Sequence, residues 1–186
     1  MKIIKDSSIR DKFHKGFKRT RGPSEIIIHG TGGGHSAKGL LRWMMQGERG
    51  KLYYRGIALF HYLIDRNGEI TEIIDPDLWV YHSSSGKHDE RTVGIELMNP
   101  YIDNGGYYTQ EQYDSLMQLI FDELMERYSI DSIMSHGRAK QKFSGEYKKC
   151  PGSAFEWIAL EEEMKSRDIS YNHKEGLESY WNIHSV

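Results

Sequence analysis

Residues 25–30 read EIIIHG, and this short segment indicates the fold more directly than any other part of the chain. Its three consecutive isoleucines are preceded by Gly22 and Pro23 and followed by Gly30, a pattern typical of a buried strand. His29 ends the apolar run and precedes a glycine-rich turn, and functional groups are often held at such strand ends. The segment therefore predicts a buried strand that presents a functional histidine.

Strand and helix patterns alternate along the rest of the chain. Asn67-Gly68 is a strong hairpin signal, and Thr109 with Gln112 has the pattern of a helix capping box. We expect strands near residues 25–29, 57–66, 69–75 and 91–98, and helices near residues 36–46, 109–128 and 153–166. This order predicts an α/β fold in which helices flank a mixed central β-sheet.

A candidate metal site combines His29 with two residues from the segment 131–152. His136 ends the apolar run at residues 133–135, and a polar stretch that we expect to form a long loop leads from it to Cys150. Cys150 is the only cysteine in the sequence, so it has no partner for an intramolecular disulfide. A lone cysteine is most often a small buried hydrophobe, but hydrophilic neighbours and nearby lysines favour a reactive thiolate here. The three residues match a catalytic zinc site with a fourth position for water, and another divalent metal is the alternative.

A single carboxylate interrupts a second central strand. Residues 92–98 read TVGIELM, and burying Glu96 among these apolar side chains is costly unless it has a function or a partner. An ion pair with a lysine or arginine is one explanation. The predicted metal ligands favour the other, in which Glu96 transfers protons.

The composition indicates one soluble globular domain. The chain has 186 residues, a net charge of -2 and 38% hydrophobic residues, which fits a single domain with its own core. The balanced charge gives no bulk attraction to nucleic acid, and no apolar run approaches the length of a membrane span. The first residues do not resemble a secretory signal. We therefore expect a monomer that is synthesised in the cytoplasm and does not insert into a membrane.

Three regions differ in composition. Residues 1–24 form a basic N-terminal arm, residues 25–166 the catalytic domain and residues 167–186 a C-terminal tail. The arm is interpreted either as a solvated arm or short helix lying on the domain, which we favour, or as an electrostatic contact with anionic polymers or phosphates. The tail is expected to be docked or mobile.

Four motifs occur in order along the chain: HGT at residues 29–31, FHYLIDRNG at 60–68, TVGIEL at 92–97, and His136 followed by KKCPG at 148–152. Together they resemble the zinc-dependent N-acetylmuramoyl-L-alanine amidases, which include phage lysozyme-type amidases, muropeptide-recycling amidases and peptidoglycan recognition proteins. Each motif is weak alone, but the ordered set is specific and covers most of the chain. The resemblance implies a mixed-sheet fold with Zn2+ in an open groove that takes peptidoglycan or a muropeptide as substrate.

The resemblance also implies roles for residues around the zinc, whose ligands would be the two histidines and the cysteine named above. Glu96 would take a proton from an activated water and pass it to the departing amine. Lys148 would stabilise the oxyanion. Lys149 is the competing choice for that role, because the sequence alone does not give the direction of either side chain.

By the same resemblance, four further residues are expected in the substrate cleft: Thr31, His61, Trp79 and His82. The segment WVYHSS at residues 79–84 is similar to the family's cleft segment. For His61 we weigh a hydrogen-bonded core position slightly higher than a role in the cleft. Phe60 stands where several phage members have a tyrosine, which shifts the acid–base role to Glu96.

Three functions compete. The leading one is a phage or prophage endolysin, synthesised in the cytoplasm and released to the cell wall. The second is a cytoplasmic amidase that recycles soluble muropeptides, which Glu96 favours and the basic arm disfavours. The third is a non-catalytic peptidoglycan-binding module, which the complete ligand set and Glu96 argue against.

Overall fold

The computed structural model of the chain describes residues 2–5, 16–33, 36–46, 59–83, 85–99, 106–146, 148–174 and 180–184. Within these ranges, helices flank a mixed eight-stranded β-sheet, and two further strands pair separately. The α/β fold class predicted from the sequence is confirmed.

The strands are β1 Ile3–Ile4, β2 Phe17–Lys18, β3 Glu25–Gly30, β4 Tyr62–Ile64, β5 Ile70–Glu72, β6 Leu78–Trp79, β7 Thr92–Leu97, β8 Ser132–Ser135, β9 Ser170–Lys174 and β10 Tyr180–His184. The helices are α1 Ala37–Gln46, α2 Gly86–Asp89, α3 at residues 110–127, α4 His136–Ser144 and α5 Trp157–Ser166. Helix α3 consists of Gln110–Gln118, a π-helical stretch at Leu119–Leu124, and Met125–Arg127. The predicted capping box of α3 is present.

The large sheet has the strand order β1-β5-β4-β7-β3-β8-β10-β9. Strand β3 lies near its centre and runs parallel to both β7 and β8. Strand β4 pairs in parallel with β7 and in antiparallel with β5, so the sheet is mixed. The carboxyl ends of β3, β7 and β8 lie at one edge because these three strands are parallel.

The two faces of β3 pack against different helices. Ile26 and Ile28 join the core formed with α3 and α5, whereas Ile27 packs with Ala139 of α4. Side chains alternate between the faces of a strand, so His29 lies on the same face as Ile27. The candidate site therefore forms on the α4 face of the sheet.

The polar stretch after His136 is a helix, and the prediction of a long loop is wrong there. Helix α4 is capped by the side chain of Ser135 and ends at Gly145, whose φ of 70° is left-handed. Its buried residues are His136, Gly137 and Ala139. These three do not form an apolar stripe of the kind by which an amphipathic helix is recognised in a sequence.

The described part of residues 1–24 packs on the domain. Strand β1 pairs with β5, and β2 pairs with β6. Arg19 donates hydrogen bonds to the backbone carbonyls of Pro76 (2.7 Å) and Thr92 (2.6 Å). Its charge is therefore used within the fold and is not part of a solvated arm. The basic residues Arg10, Lys12 and Lys15 lie outside the described residues.

The C-terminal region adds strands to the sheet. Strand β10 pairs with β8, with Trp181 opposite Ile133, and β9 pairs with β10. The two strands thus form one edge of the eight-stranded sheet. The boundaries at residues 24 and 167 stay predictions.

Candidate active site

Three parallel strands bring the candidate residues together. His29 of β3 pairs in register with Glu96 of β7, so both side chains lie on the same face of the sheet. Ser135, the last residue of β8, pairs with Ile28, and the next residue is His136. The ring centroids of His29 and His136 lie 4.3 Å apart. The register of the sheet therefore gathers two predicted ligands and the predicted proton-transfer residue.

Cys150 reaches the same point because its segment lies against the first turn of α4. The N–H of Gly137 donates to the carbonyl oxygen of Cys150 at 2.9 Å, and the N–H of Gly30 donates to Sγ of Cys150 at 3.4 Å. A Cβ at position 137 would overlap the carbonyl oxygen of Lys148. Glycine at this position therefore permits the close approach that delivers the third ligand.

Cys150 is buried, although its neighbours in the sequence are hydrophilic. Cys150 is only 5% exposed, while Lys148 and Lys149 are exposed. Burial raises the pKa of the Cys150 thiol to about 12, and the charge of Glu96 adds to the rise. The expectation that nearby lysines hold Cys150 as a thiolate is therefore wrong without a bound cation. A metal that binds here has to displace the thiol proton.

The three candidate ligands fit a metal ion. One ligand atom from each of His29, His136 and Cys150 lies within 4.8 Å of the other two. Burial lowers the pKa of His29 well below its usual value and that of His136 to about 3, so both rings are neutral, as metal binding requires. Nδ1 of His136 is buried and has no hydrogen-bond partner among the described residues, which suits a nitrogen that binds an ion. Two histidines and one cysteine are the protein ligands of an open catalytic zinc site.

His82 supports His29 directly. Its Nδ1 lies 3.1 Å from Nε2 of His29, and its own Nε2 lies 2.8 Å from Oγ1 of Thr92. The Thr92 hydroxyl in turn donates to the carbonyl oxygen of Asp89 at 3.3 Å. Because Nε2 of His29 faces His82, its Nδ1 is the nitrogen left for a metal. Hydrogen bonds of this kind fix the tautomer and orientation of a ligand histidine.

Two residues hold His82 in position, and neither was expected from the sequence to have this role. Oδ1 of Asp89 accepts hydrogen bonds from the backbone N–H groups of His82 (3.0 Å) and Ser83 (2.6 Å). Gly94 leaves room for the His82 ring, since a Cβ there would lie 2.7 Å from Nδ1. A glycine inside a central strand is a sequence signal for such a close approach.

Glu96 lines the cleft, and the pKa of its carboxyl lies near neutral pH. The residue is 9% exposed, and burial raises the pKa of its carboxyl to about 8, while the charge of Lys148 opposes the rise. No lysine or arginine in the described part of the chain forms an ion pair with Glu96. The alternative in which Glu96 serves an ion pair therefore receives no support.

These residues open into a cleft of about 720 Å³, a size typical of small-molecule sites. Thr31 lines the cleft, and its Oγ1 accepts a hydrogen bond from the N–H of Asn99 at 3.0 Å. His82 lines it as well. The other walls include Leu40, Met44, Leu59, Phe60, Tyr81, Ser85, Gly86, Asp89 and Lys140.

His61 and Trp79 do not line the cleft, and for His61 this is the core position that we weighed slightly higher. His61 is fully buried, with Nδ1 accepting from the N–H of Gly94 at 2.9 Å and Nε2 lying 3.0 Å from the carbonyl oxygen of Leu78. Burial and the charge of Arg19 lower the pKa of His61 to about 3. His61 is thus a core histidine that joins strands behind the site. Trp79 is also absent from the cleft lining, and its ring stacks on another aromatic side chain.

The cleft distinguishes the two candidate lysines. Both Lys148 and Lys149 are exposed, but only Lys148 lines the cleft. Lys140 lies in the wall too and pairs with Glu146 at 2.5 Å. The sequence does not predict the position of Lys140, because α4 carries no apolar stripe that would indicate a helix.

None of the described helices combines the length and apolarity needed to cross a membrane.

Several solved structures resemble this one. LysCS, an endolysin N-acetylmuramoyl-L-alanine amidase from Clostridium intestinale URNW, is 20% identical with a TM-score of 0.67, covering 91% of this chain and 97% of that chain. A selenomethionine derivative of AmpD is 19% identical with a TM-score of 0.63, covering 87% and 93%. The drosophila peptidoglycan recognition protein SD is 16% identical with a TM-score of 0.61, covering 85% and 92%. At these identities the likeness establishes the fold.

Comparison with curated protein sequences finds no match. The sequence model of the N-acetylmuramoyl-L-alanine amidase family matches residues 19–153. That range contains all three candidate ligands, Glu96 and Lys148. The chain therefore belongs to the N-acetylmuramoyl-L-alanine amidase family, as its four ordered motifs predicted.

Proposed function

We propose that this chain is a zinc-dependent amidase that hydrolyses the bond between the lactyl group of N-acetylmuramic acid and L-alanine in peptidoglycan. The main support is that His29, His136 and Cys150 converge beside the buried Glu96 on the floor of an open cleft. A binding module needs no such combination of metal donors and a titratable carboxyl. The complete set favours an enzyme.

Zinc bound by the three ligands would act as a Lewis acid toward the scissile carbonyl and an attacking water. Glu96, which pairs in register with His29, would accept the proton of that water and deliver it to the departing amine of L-alanine. A pKa of about 8 suits this double role, because a group that titrates near the working pH can both accept and donate a proton. A nearby cation would lower the pKa of Glu96 and favour its basic form.

Lys148 would stabilise the negative charge that develops on the carbonyl oxygen. Its side chain lines the cleft, and its charge lowers the pKa of both His136 and Glu96, so its field reaches a candidate metal ligand and the proposed proton-transfer residue. A fixed positive charge at this point contributes to catalysis when its interaction with the carbonyl oxygen is stronger in the transition state than in the ground state.

We favour the intact cell wall as substrate, in the manner of an endolysin released from the cytoplasm, for which the description of LysCS as an endolysin gives support. A muropeptide-recycling amidase is the second candidate, because Glu96 has the Ile-Glu-Leu setting of that branch. Clearing of whole peptidoglycan is expected in the first case. Cleavage confined to soluble fragments would support the second.

Product analysis tests the reaction itself. Purified peptidoglycan incubated with the protein should release new amino groups on L-alanine and no new reducing sugar ends. The Glu96→Gln variant is the matched control and should release neither. Reducing ends from the wild-type protein would mean that a glycosidic bond is cut and would refute the proposed reaction.

A further inference from the structure

Three aromatic side chains form an exposed surface next to the cleft. Phe17 of β2 stacks on Trp79 of β6, with ring centroids 4.4 Å apart and planes at 24°. Tyr81 meets both rings edge-on, 5.5 Å from Phe17 and 5.1 Å from Trp79. Tyr81 also lines the cleft. This aromatic surface, defined as Phe17, Trp79 and Tyr81, therefore continues the cleft wall outward.

The aromatic surface is held by the N-terminal segment. Pairing of β2 with β6 sets Phe17 opposite Trp79. Two residues further on, Arg19 is anchored by the backbone carbonyls of Pro76 and Thr92. A surface arranged in advance loses little conformational freedom when it binds a ligand.

The hydrophobic core does not explain this arrangement. Phe17 is 40% exposed and Tyr81 is 45% exposed, and none of the three rings belongs to the buried core clusters of the described residues. Aromatic side chains contribute large contact areas when they are covered. Contiguous exposed apolar groups of this kind mark binding sites.

The cleft and the surface beside it offer two kinds of chemistry. Lys148 supplies positive charge in the cleft lining, whereas Tyr81 continues into two uncharged rings. A peptidoglycan stem peptide carries carboxylates, which complement the charge of Lys148. The glycan strand presents pyranose faces made of C–H groups, which complement flat aromatic faces.

We infer that the aromatic surface binds the glycan strand of peptidoglycan, stacking a sugar ring next to the muramoyl residue whose amide is cut. The inference rests on the proposed function for its choice of ligand. It assigns a direction to the substrate, with the glycan over Tyr81 and Phe17 and the stem peptide toward Lys148.

Binding of a peptide-free glycan tests the inference independently of catalysis. The probe is a tetrasaccharide of alternating N-acetylglucosamine and N-acetylmuramic acid, titrated into the full chain by calorimetry. Phe17→Ala and Phe17→Leu should each weaken binding by roughly three- to tenfold, the range expected for loss of one aromatic contact. Leucine keeps an apolar side chain and so separates stacking from folding. Tyr107→Ala is the matched control, because Tyr107 is 66% exposed and does not line the cleft.

A second readout compares two amidase substrates. Phe17→Leu should raise KM for polymeric peptidoglycan by a similar factor. For an N-acetylmuramoyl peptide, which has no neighbouring sugar, the KM ratio of variant to wild type should be smaller. Equal glycan affinity of Phe17→Leu and wild type would overturn the inference even if the amidase is active. A Phe17→Leu variant that differs from wild type only in oligomeric state, or only in binding to lipid vesicles, would overturn it as well. Phe17-dependent glycan binding without amidase activity would instead support the surface and refute the proposed reaction.

Discussion

Nδ1 of His82 lies 3.1 Å from Nε2 of His29, inside a chain of hydrogen-bonding groups that continues to Thr92. The sequence indicated His82 as a cleft residue, and it does line the cleft. Its contact with His29 gives it a further role, because it fixes the ring nitrogen that a metal can use. The affinity of the candidate metal site for a metal ion should therefore depend on residues that are not ligands themselves.

His82→Ala should weaken zinc binding by about 10- to 100-fold, the usual effect of removing a partner of a ligand histidine. Competition with a chromophoric chelator measures the affinity without reference to activity. Thr92→Ser keeps the hydroxyl and should bind zinc like the wild type, whereas Thr92→Val should show an intermediate loss. Wild-type zinc affinity in His82→Ala would mean that His29 is oriented by its strand alone.

Glu96→Gln should lower kcat by about 10²- to 10⁴-fold, the range for loss of a general acid–base group. Zinc content should stay unchanged, because Glu96 is not among the three convergent ligands. Steady-state kinetics and metal analysis on the same preparation check both statements. A variant that keeps full turnover would assign proton transfer to another group.

Gly137→Ala should disrupt the site although it removes no functional group. The added Cβ overlaps the carbonyl oxygen of Lys148, so the segment carrying Cys150 must move away from α4. A displacement of about 1 Å can cost about 10²-fold in kcat/KM. Gly33→Ala is the control, since a Cβ there meets nothing within 4 Å. Equal activity of the two variants would argue against the close approach.

The stability of the metal-free protein should depend on pH through Glu96. Its pKa is about 8 when folded against a model value of 4.5, so the folded state binds more protons between these values. The stabilising contribution is complete below pH 4.5 and is lost as the pH rises through 8. The free energy of unfolding of Glu96→Gln relative to wild type should therefore rise between pH 5 and pH 8, by about 1–3 kcal/mol. Urea unfolding with a chelator present measures it, and a constant difference would contradict the pKa shift.

The buried histidines should make stability depend on pH in the direction opposite to Glu96. Burial lowers the pKa of His61 and of His136 to about 3, below the model value of 6.5. The unfolded chain therefore binds more protons between pH 3 and pH 6.5, and stability from these groups falls as the pH drops through that window. His61→Asn, which retains a polar side chain, should reduce the acid sensitivity of unfolding. No change in the acid limb would show that His61 does not stay neutral in the fold.

The sequence was informative where a residue interrupts a strong local pattern. His29 follows three isoleucines, and Glu96 is the one carboxylate in a strand of apolar residues. Both patterns are local, and both residues lie where the patterns indicated. The pairing of His29 with Glu96 then follows from the parallel alignment of two buried strands.

Other positions depend on contacts that the sequence does not contain. Arg19 stands in a basic stretch and looks like a solvated residue, yet backbone carbonyls from two distant segments enclose it. Helix α4 has too few buried side chains to produce an apolar stripe. The burial of Cys150 results from the packing of its segment on that same helix, so a sequence that does not predict α4 does not predict the buried thiol either.

The central claim is that a metal held by His29, His136 and Cys150 supports amide hydrolysis. Its most direct test is the release of L-alanine amino groups from purified peptidoglycan before chelation, after chelation and after re-addition of zinc. We predict loss of release with the chelator and recovery at about one zinc per chain, with no recovery in Cys150→Ala. Undiminished release by a chain shown to contain no metal would contradict the account.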